Sequence, residues 1–509
     1  MKKINLYYNN AYEWYNEDNY YVIGSIFYKN KLYEKQSLID LLKKINISEL
    51  KKFLIELTGF FSFVIDFPDK IILCSDLLRT FPIFYEVKND YCFISDNIFD
   101  YKGIVNEQSK KELLSLLYVT LDETIYKNVK QLENAQILTI YKDGKIKKEK
   151  YYEFKNEFKN DDNLFEKFDN IMLKSLKQTI LFLNGRTAVI PLSGGHDSRM
   201  IAYYMKKLNY NNIIAYTYGN SKSKEVEISK KVAEYLGLKW FFVPYKKKSM
   251  CKKYNNKNIR DNIFKYFGRG YSSPHLQEWE AISYLLENKI IDKNSVILPG
   301  FTMDFIAGNH LNDVIMQEYS STLEVKNQIY FHNYNFKIVN CNFDNKIIKV
   351  LNIKNFDDKK ISRIEACNLF EKFDFEERQV KFITNAVRTY DFHGLQWYLP
   401  FWNKDVIDYW KNVDLKKRYK RQLFKEITNF LYKDLMDKVP IITKENQKKY
   451  KAINRLLHNM IRPFYLYFND DLNYYYYFKF FDYLKNVFKY KILSYDRFIA
   501  LDYLKQFDD

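Results

Sequence analysis

Apolar and polar positions change rhythm along the chain. Up to about residue 150, short apolar runs recur between turns: FFSFVID, KIILCSD, FPIFYEV and YCFISD. AQILTIYKDGKIKKEKYY sets Asp143 and Gly144 between two strand-like runs, a hairpin signal. This part reads as β-rich with a helix or two, such as Ser48 to Leu57. From about residue 160 strands and helices alternate. Thr187 to Leu192 is short, apolar and partly β-branched, which predicts a buried strand. Apolar residues then fall at Met200, Ile201, Tyr204, Met205 and Leu208, which is helical spacing. NNIIAYTYG predicts a strand, and EVEISKKVAEYLG a helix with Val226, Val232, Ala233 and Leu236 on one side, ended by Gly237. KWFFVPY and SVILPG predict further strands. Repeated β-α-β units imply an α/β fold with a doubly wound parallel sheet, whose ligands bind at the carboxyl ends of the strands. Residues from about 350 to 435 read as mainly helical. The aromatic, basic tail, including NDDLNYYYYFKFFDYLKNVFKY, is expected to pack as amphipathic helices on what precedes it.

One loop at such a strand end carries chemistry. PLSGGHDSRM (191–200) joins the strand to the next helix. Free N–H groups and the helix dipole favour an anion there, and glycines let the backbone close on a phosphate. The loop lacks the Lys-Ser/Thr of a Walker A motif, so it reads as a phosphate loop of another kind.

Composition narrows the setting. A chain of 509 residues is expected to form two or three domains. No apolar run approaches the roughly 18 residues of a membrane helix, and MKKINLYYNN lacks the apolar core of a secretory signal. The cysteines (Cys74, Cys92, Cys251, Cys341, Cys367) form no CxxC pair, which argues for a reducing cytosol and against a zinc or disulfide framework. The net charge of +18 is spread through the chain, and its densest runs, KKKSMCKK and LKKRYKRQ, are short. That favours a solvated basic surface over a nucleic-acid partner.

The loop resembles that of the ATP pyrophosphatases, which release pyrophosphate and AMP. Further segments resemble the asparagine synthetases. LTGFFSFVID (57–66) looks like a segment of their glutaminase domain, and CSDLLRTFPIFY (74–85) like their RDxxGxxPLYY. YVTLDETIYKNVKQLENAQILTI (118–140) resembles their interdomain linker, and VILPGFTMDFIAGNH (296–310) aligns with SGEGADELFGGY. The resemblance runs over roughly residues 1–430. It implies an α+β amidotransferase-like sandwich of N-terminal-nucleophile type over 1–150 and an adenine-nucleotide-hydrolase-type synthetase domain over 160–435. An aromatic, helical extension over 436–509 follows.

What the family's residues imply carries over unevenly. Ser193, Gly194, Gly195, Asp197 and Ser198 would cradle pyrophosphate. Asp197 and Asp304 would hold Mg²⁺, a hard ion that takes carboxylate oxygens. Leu192, Tyr218, Gly219, Pro299 and Gly300 fall where the family lines its ATP pocket. Glu225 matches an acidic position, with a helix N-terminal charge as its plainer reading. Lys420, amid Lys416, Lys417, Arg418 and Arg421, falls near the catalytic lysine, and Asp304 is its catalytic companion. His196 sits at a variable position of the loop.

Elsewhere the pattern fails. The family's glutaminase uses an N-terminal cysteine, and here Lys2 stands in its place, with Thr58 where an aspartate grips glutamine. Phe301 replaces the glutamate tied to aspartyl-adenylate formation. Arg269, His275 and His310 are candidates for the acceptor pocket, with ordinary polar contacts as the alternative for the histidines. EERQVKFITNAVRTYDFHGLQWYLPFWN (376–403) resembles a helical segment of synthetase-like proteins from surface-polysaccharide pathways.

The expectation is a cytoplasmic, ATP- and Mg²⁺-dependent ligase. It would turn a carboxylate, aspartate or an acidic sugar, into an amide with free or delivered ammonia or another amine. It needs no nucleic acid, and a homodimer or an ammonia-supplying partner is compatible with it. A macrolactam- or β-lactam-forming cyclase of the same family and a nucleotide-binding pseudo-enzyme are the alternatives. An RNA-modifying pyrophosphatase would need a zinc or persulfide cysteine set or an RNA-binding appendage, and would have no use for a glutaminase-like first domain.

Overall fold

Two sheets face one another across residues 2–150. The four-stranded one runs Lys2–Asn5, Tyr91–Ser95, Phe84–Lys88, Lys130–Gln131, with its first pair parallel. The other has seven strands, with Thr58–Asp66 and Lys70–Ser75 near its centre. Alternation along both sends Val64, Ile71, Leu73, Ile83, Tyr85, Ile94 and Leu138 into one apolar layer between the sheets. The expected hairpin forms from Gln136–Tyr141 and Ile146–Lys150, with Gly144 at φ 81°. The computed structural model describes residues 2–8, 10–88, 91–157, 163–334, 342–441, 463, 467, 472–490 and 494–508. Cys341 and Asn469 to Asp471 of the aromatic tail lie outside them.

The second half is built on a five-stranded, all-parallel sheet in the order Lys239–Pro244, Ile213–Gly219, Ala188–Pro191, Val296–Ile297, Gln396–Trp397. These runs are nearly continuous in apolar residues because a parallel sheet is covered on both faces. The chain reverses its direction of strand addition at Ala188–Pro191. That makes the gap between this strand and Val296–Ile297 the topological switch point, where loops diverge and leave a crevice. The fold is therefore α/β. The run SVILPG pairs over only two residues, although the Leu298 amide still donates to the Val189 carbonyl at 2.8 Å.

Between 350 and 435 the chain is helical, with a π-helical stretch at Asp374–Ile383. In the tail, Tyr474–Tyr477 forms a 3₁₀ turn, and Phe480–Tyr490 and Tyr495–Leu504 are helices. Tyr503 abuts Gly268, where any Cβ would meet its ring at 2.3 Å, and its hydroxyl accepts the Gly270 amide at 2.7 Å. Glycine at 268 is thus what lets the tail dock. The two halves meet around buried Arg388, which pairs with Asp391 at 2.9 Å and donates to the Tyr8 hydroxyl and the Thr80 carbonyl. Cys74, Cys92, Cys251 and Cys367 are free thiols. Among the described residues no helix is long and apolar enough to cross a membrane.

Candidate functional site

The crevice at the switch point is a cavity of about 440 Å³. One wall is the loop from Pro191 to Ser198. Its turn is held by its own hydroxyls: the Ser193 amide donates to Ser198 Oγ at 3.0 Å, and the Gly195 amide to Ser193 Oγ at 3.2 Å. The loop ends at the N-terminus of the helix Asp197–Lys207, whose free amides and dipole face the cavity. The opposite wall is Pro299 to Asp304. Gly300 allows this approach, because a Cβ there would lie 2.8 Å from the Ser198 amide nitrogen.

Leu192, Ser193, Gly195, Asp197, Ser198, Tyr218, Pro299, Gly300, Phe301, Asp304 and Glu225 all border this one cavity. Gly194 and Gly219 frame it. The Gly194 carbonyl accepts from the Arg199 guanidinium at 3.4 Å, and Gly219 ends its strand at φ 116° with its carbonyl taken by the Tyr245 amide. Glu225 sits in the first turn of Lys224–Tyr235, capped by Ser223.

Four candidates lie elsewhere, among them His310, which meets the Asp374 carboxylate outside this cavity. Lys420 points outward to Asp313 at 3.0 Å and is 63% exposed. Lys420 and Arg421 both adopt left-handed backbone (φ 51° and 61°), and this turn sends Arg421 into the cavity in its place. Arg269 is packed between the rings of Tyr8 and Tyr266 at 4.5 and 4.8 Å, beside a separate cavity near Asp96. His275 is buried with its ring 4.1 Å from Phe382, and burial pushes its pKa down to about 4. Aromatic packing claims His275, whereas Arg269 borders that separate cavity and not the one at the switch point.

The electrostatics centre on Asp197. Burial pushes its pKa up to about 6, against the pull of the Arg421 guanidinium 2.5 Å away. Nearby Asp304 raises it further, while the Asp304 backbone hydrogen-bonds its carboxylate. Two carboxylates side by side, one of them desolvated, are what a divalent cation relieves, so the pair fits Mg²⁺. His196 lines the same wall, and burial followed by Arg421 pushes its pKa down to about 3, so it is neutral.

Sequence reasoning missed Glu278, Tyr216 and Arg421. Glu278 borders the cavity and accepts from Tyr216 at 2.6 Å and Tyr390 at 3.0 Å. Burial raises its pKa, and the Tyr216, Tyr390 and Tyr218 hydroxyls oppose that. Period-two alternation on Ile213–Gly219 puts Tyr216 and Tyr218 on the same face, and both reach the cavity at the carboxyl end of the strand. Glu278 lies three residues after His275 in a stretch with no periodic signal. The tail also contributes: Leu472 borders the cavity, and the Tyr474 hydroxyl lies 3.4 Å from that of Tyr218.

No curated protein matches the chain. Two solved structures align with 48% of it: glutamine phosphoribosylpyrophosphate amidotransferase from B. subtilis complexed with ADP and GMP, and the allosteric regulatory enzyme of purine biosynthesis. They are 11% and 10% identical, the alignments cover 76% and 75% of their chains, and both TM-scores are 0.19. Likenesses that loose bear no weight on fold or chemistry. The loop-bearing strand–helix region is another matter: residues 187–259 are similar to the family described as queuosine biosynthesis protein QueC.

Proposed function

We propose that the protein is an ATP-dependent, AMP-forming carbon–nitrogen ligase. It would adenylate a carboxylate, either aspartate or an acidic sugar of surface polysaccharide, and pass the acyl group to ammonia or another amine. The observation that carries this reading is the convergence at one switch-point cavity of a glycine-bearing strand-to-helix loop, two carboxylates and a guanidinium. Similarity of residues 187–259 to a queuosine biosynthesis family supports the nucleotide half of it.

In this scheme the amides of the Ser193–Ser198 loop bind the β- and γ-phosphates, and Tyr218 and Leu192 border the adenosine end. Mg²⁺ held by Asp197 and Asp304 would neutralise phosphate charge. Arg421, released from Asp197, takes up charge on the pyrophosphate that leaves when the substrate carboxylate attacks the α-phosphorus. The amine then attacks the acyl carbon, a C–N bond forms, and the C–O bond to AMP breaks. Glu278 is the base placed to take the proton that the amine loses, and burial raises its pKa above the ordinary carboxylate value. Phe301 presents an apolar ring where asparagine synthetases carry a glutamate, which favours an acceptor other than aspartate.

Glutamine is not the nitrogen source in this reading. The strand Lys2–Asn5 carries no cysteine, and the Lys2 ammonium is tied to Asp66 at 2.8 Å. The test is AMP and pyrophosphate release from Mg²⁺·ATP with ammonia across a panel of aspartate and uronic acids, with glutamine in a parallel arm. Acid-dependent AMP formation supports the ligase, and ATP binding with no AMP from any acid sinks it in favour of a pseudo-enzyme. Glu278→Gln should retain acid-dependent pyrophosphate exchange while slowing amide formation by about 100-fold or more. Equal loss of both steps would remove Glu278 from the second one.

A further inference from the structure

Behind Asp304 the chain gathers two histidines and a second aspartate that nucleotide chemistry does not use. His310 follows the short helix Met303–Ile306, His332 lies in the last turn of Thr322–Asn333, and Asp374 opens the π-helical stretch Asp374–Ile383. One donor atom of each lies within 4.8 Å of the other two. We propose that His310, His332 and Asp374 form a binding site for a divalent transition-metal ion of the zinc, manganese or iron(II) class.

The donor set is the first ground. Two imidazoles and one carboxylate suit these ions, whereas Mg²⁺ prefers oxygen ligands alone. Bonds of about 2.1 Å put tetrahedral donors roughly 3.4 Å apart. His332 Nε2 already stands 3.7 Å from Asp374 Oδ2. His310 Nδ1 touches the same carboxylate oxygen directly, so a modest side-chain retreat admits the ion between them.

The surroundings are the second ground. A metal-bound histidine ordinarily gives its other ring N–H to a carboxylate, and a ligating carboxylate is itself hydrogen-bonded. Here His310 Nε2 faces Asp304 Oδ2 at 3.8 Å. Asp374 Oδ1 accepts from Gln379 at 3.2 Å, and Gln379 in turn accepts from Thr302 at 2.8 Å. The imidazoles pack at 4.7 Å with Phe305 and Phe370 against them, which restrains their rings. Asp374 is fully buried, whereas the His332 side chain is 28% exposed and leaves a path for the ion and for a water ligand. Arg378 is close enough to act on all three groups, and its charge limits the affinity. An ion here would join three separate segments and brace Asp304 through His310. The site stands whether or not the ligase reading does.

The experiment uses the full chain, stripped with chelator and dialysed, then titrated with Co²⁺ by visible absorption and with Zn²⁺ by calorimetry. One equivalent of Co²⁺ with d–d bands, displaced by Zn²⁺, is expected. His332→Ala, at a partly exposed position, should keep its thermal transition and weaken binding by more than about tenfold, the loss typical of an outer-shell change alone. Asp197→Asn should leave Co²⁺ binding at this site unchanged. Absence of stoichiometric binding, or binding untouched by His332→Ala, overturns the site. Mg²⁺·ATP binding measured separately keeps the two proposals apart: normal Co²⁺ binding without ATP binding counts against the ligase only.

Discussion

Asp197 shows most clearly how a single position trades stability for chemistry. Its pKa in the folded chain is raised from 3.8 to about 6, so folding favours the protonated form. Its contribution to stability is therefore complete below about pH 4 and is lost as pH rises through about 6. At pH 7 the ionised side chain is a burden on the order of 1–3 kcal/mol. Asp197→Asn should raise the melting temperature at pH 7, lose that advantage near pH 4, and abolish AMP formation. A lower melting temperature at pH 7 would contradict this account. Wild-type turnover should fall as pH drops through about 6, as the carboxylate is protonated. Gly300 tests geometry instead of charge. A Cβ 2.8 Å from the Ser198 amide nitrogen must push loop and helix apart. Gly300→Ala should cost about 1–3 kcal/mol in stability, and AMP formation should drop by about 100-fold. Denaturant titration and the AMP assay check the two figures. The loop residues were legible in the sequence because glycines between a strand and a helix are a local signal. Arg421 was not, because only the left-handed turn at Lys420 and Arg421 decides which of two adjacent cations enters the cavity.

Elements were easiest to read where one periodicity governs a whole segment. Asp197–Lys207 and Lys224–Tyr235 follow the helical spacing, and Ile213–Gly219 and Lys239–Pro244 follow apolar runs. The π-helical stretch at Asp374–Ile383 gives no such sign, since its extra residue per turn shows only in the hydrogen bonds. In the tail, amphipathic spacing marks Phe480–Tyr490, but nothing local says what it covers. Tyr503 supplies a test of how firmly the last long helix is held. It is fully buried, packs on the bare backbone of Gly268 and accepts the Gly270 amide. Tyr503→Ala should destabilise the protein by about 3–5 kcal/mol by leaving a cavity and an orphaned amide. Hydrogen exchange should show the loosening first in Tyr495–Leu504. Unchanged protection there would mean that the helix is anchored elsewhere.

The molecule as a whole is joined through charge as well as apolar packing. Arg388 and Asp391 are both almost fully buried, and Asp391 also accepts from Trp397 Nε1 at 2.6 Å and from the Tyr8 hydroxyl. Removing one partner of such a pair leaves an uncompensated charge and costs about 3–5 kcal/mol. Arg388→Met should therefore separate the two halves energetically: calorimetry that gives one transition for wild type should give two. A single transition, merely shifted, would mean that the shared apolar core alone enforces cooperativity.

Sequence alone was enough for the α/β class and the strand-to-helix loop, because these depend on neighbours a few residues away; Asp304 was marked only by a family resemblance, and the fold is what sets it beside Asp197. The cavity's other half could not be read there. Glu278, Tyr216, Arg421 and Leu472 come from segments as much as 256 residues apart, counting Tyr216 and Leu472 at the extremes. Their meeting depends on strand order, on Gly300 letting two loops touch, and on a tail docking against Gly268. The same holds for His310, His332 and Asp374. Spacing within one element carries no record of distances set between elements, and those distances are where the chemistry of this chain resides.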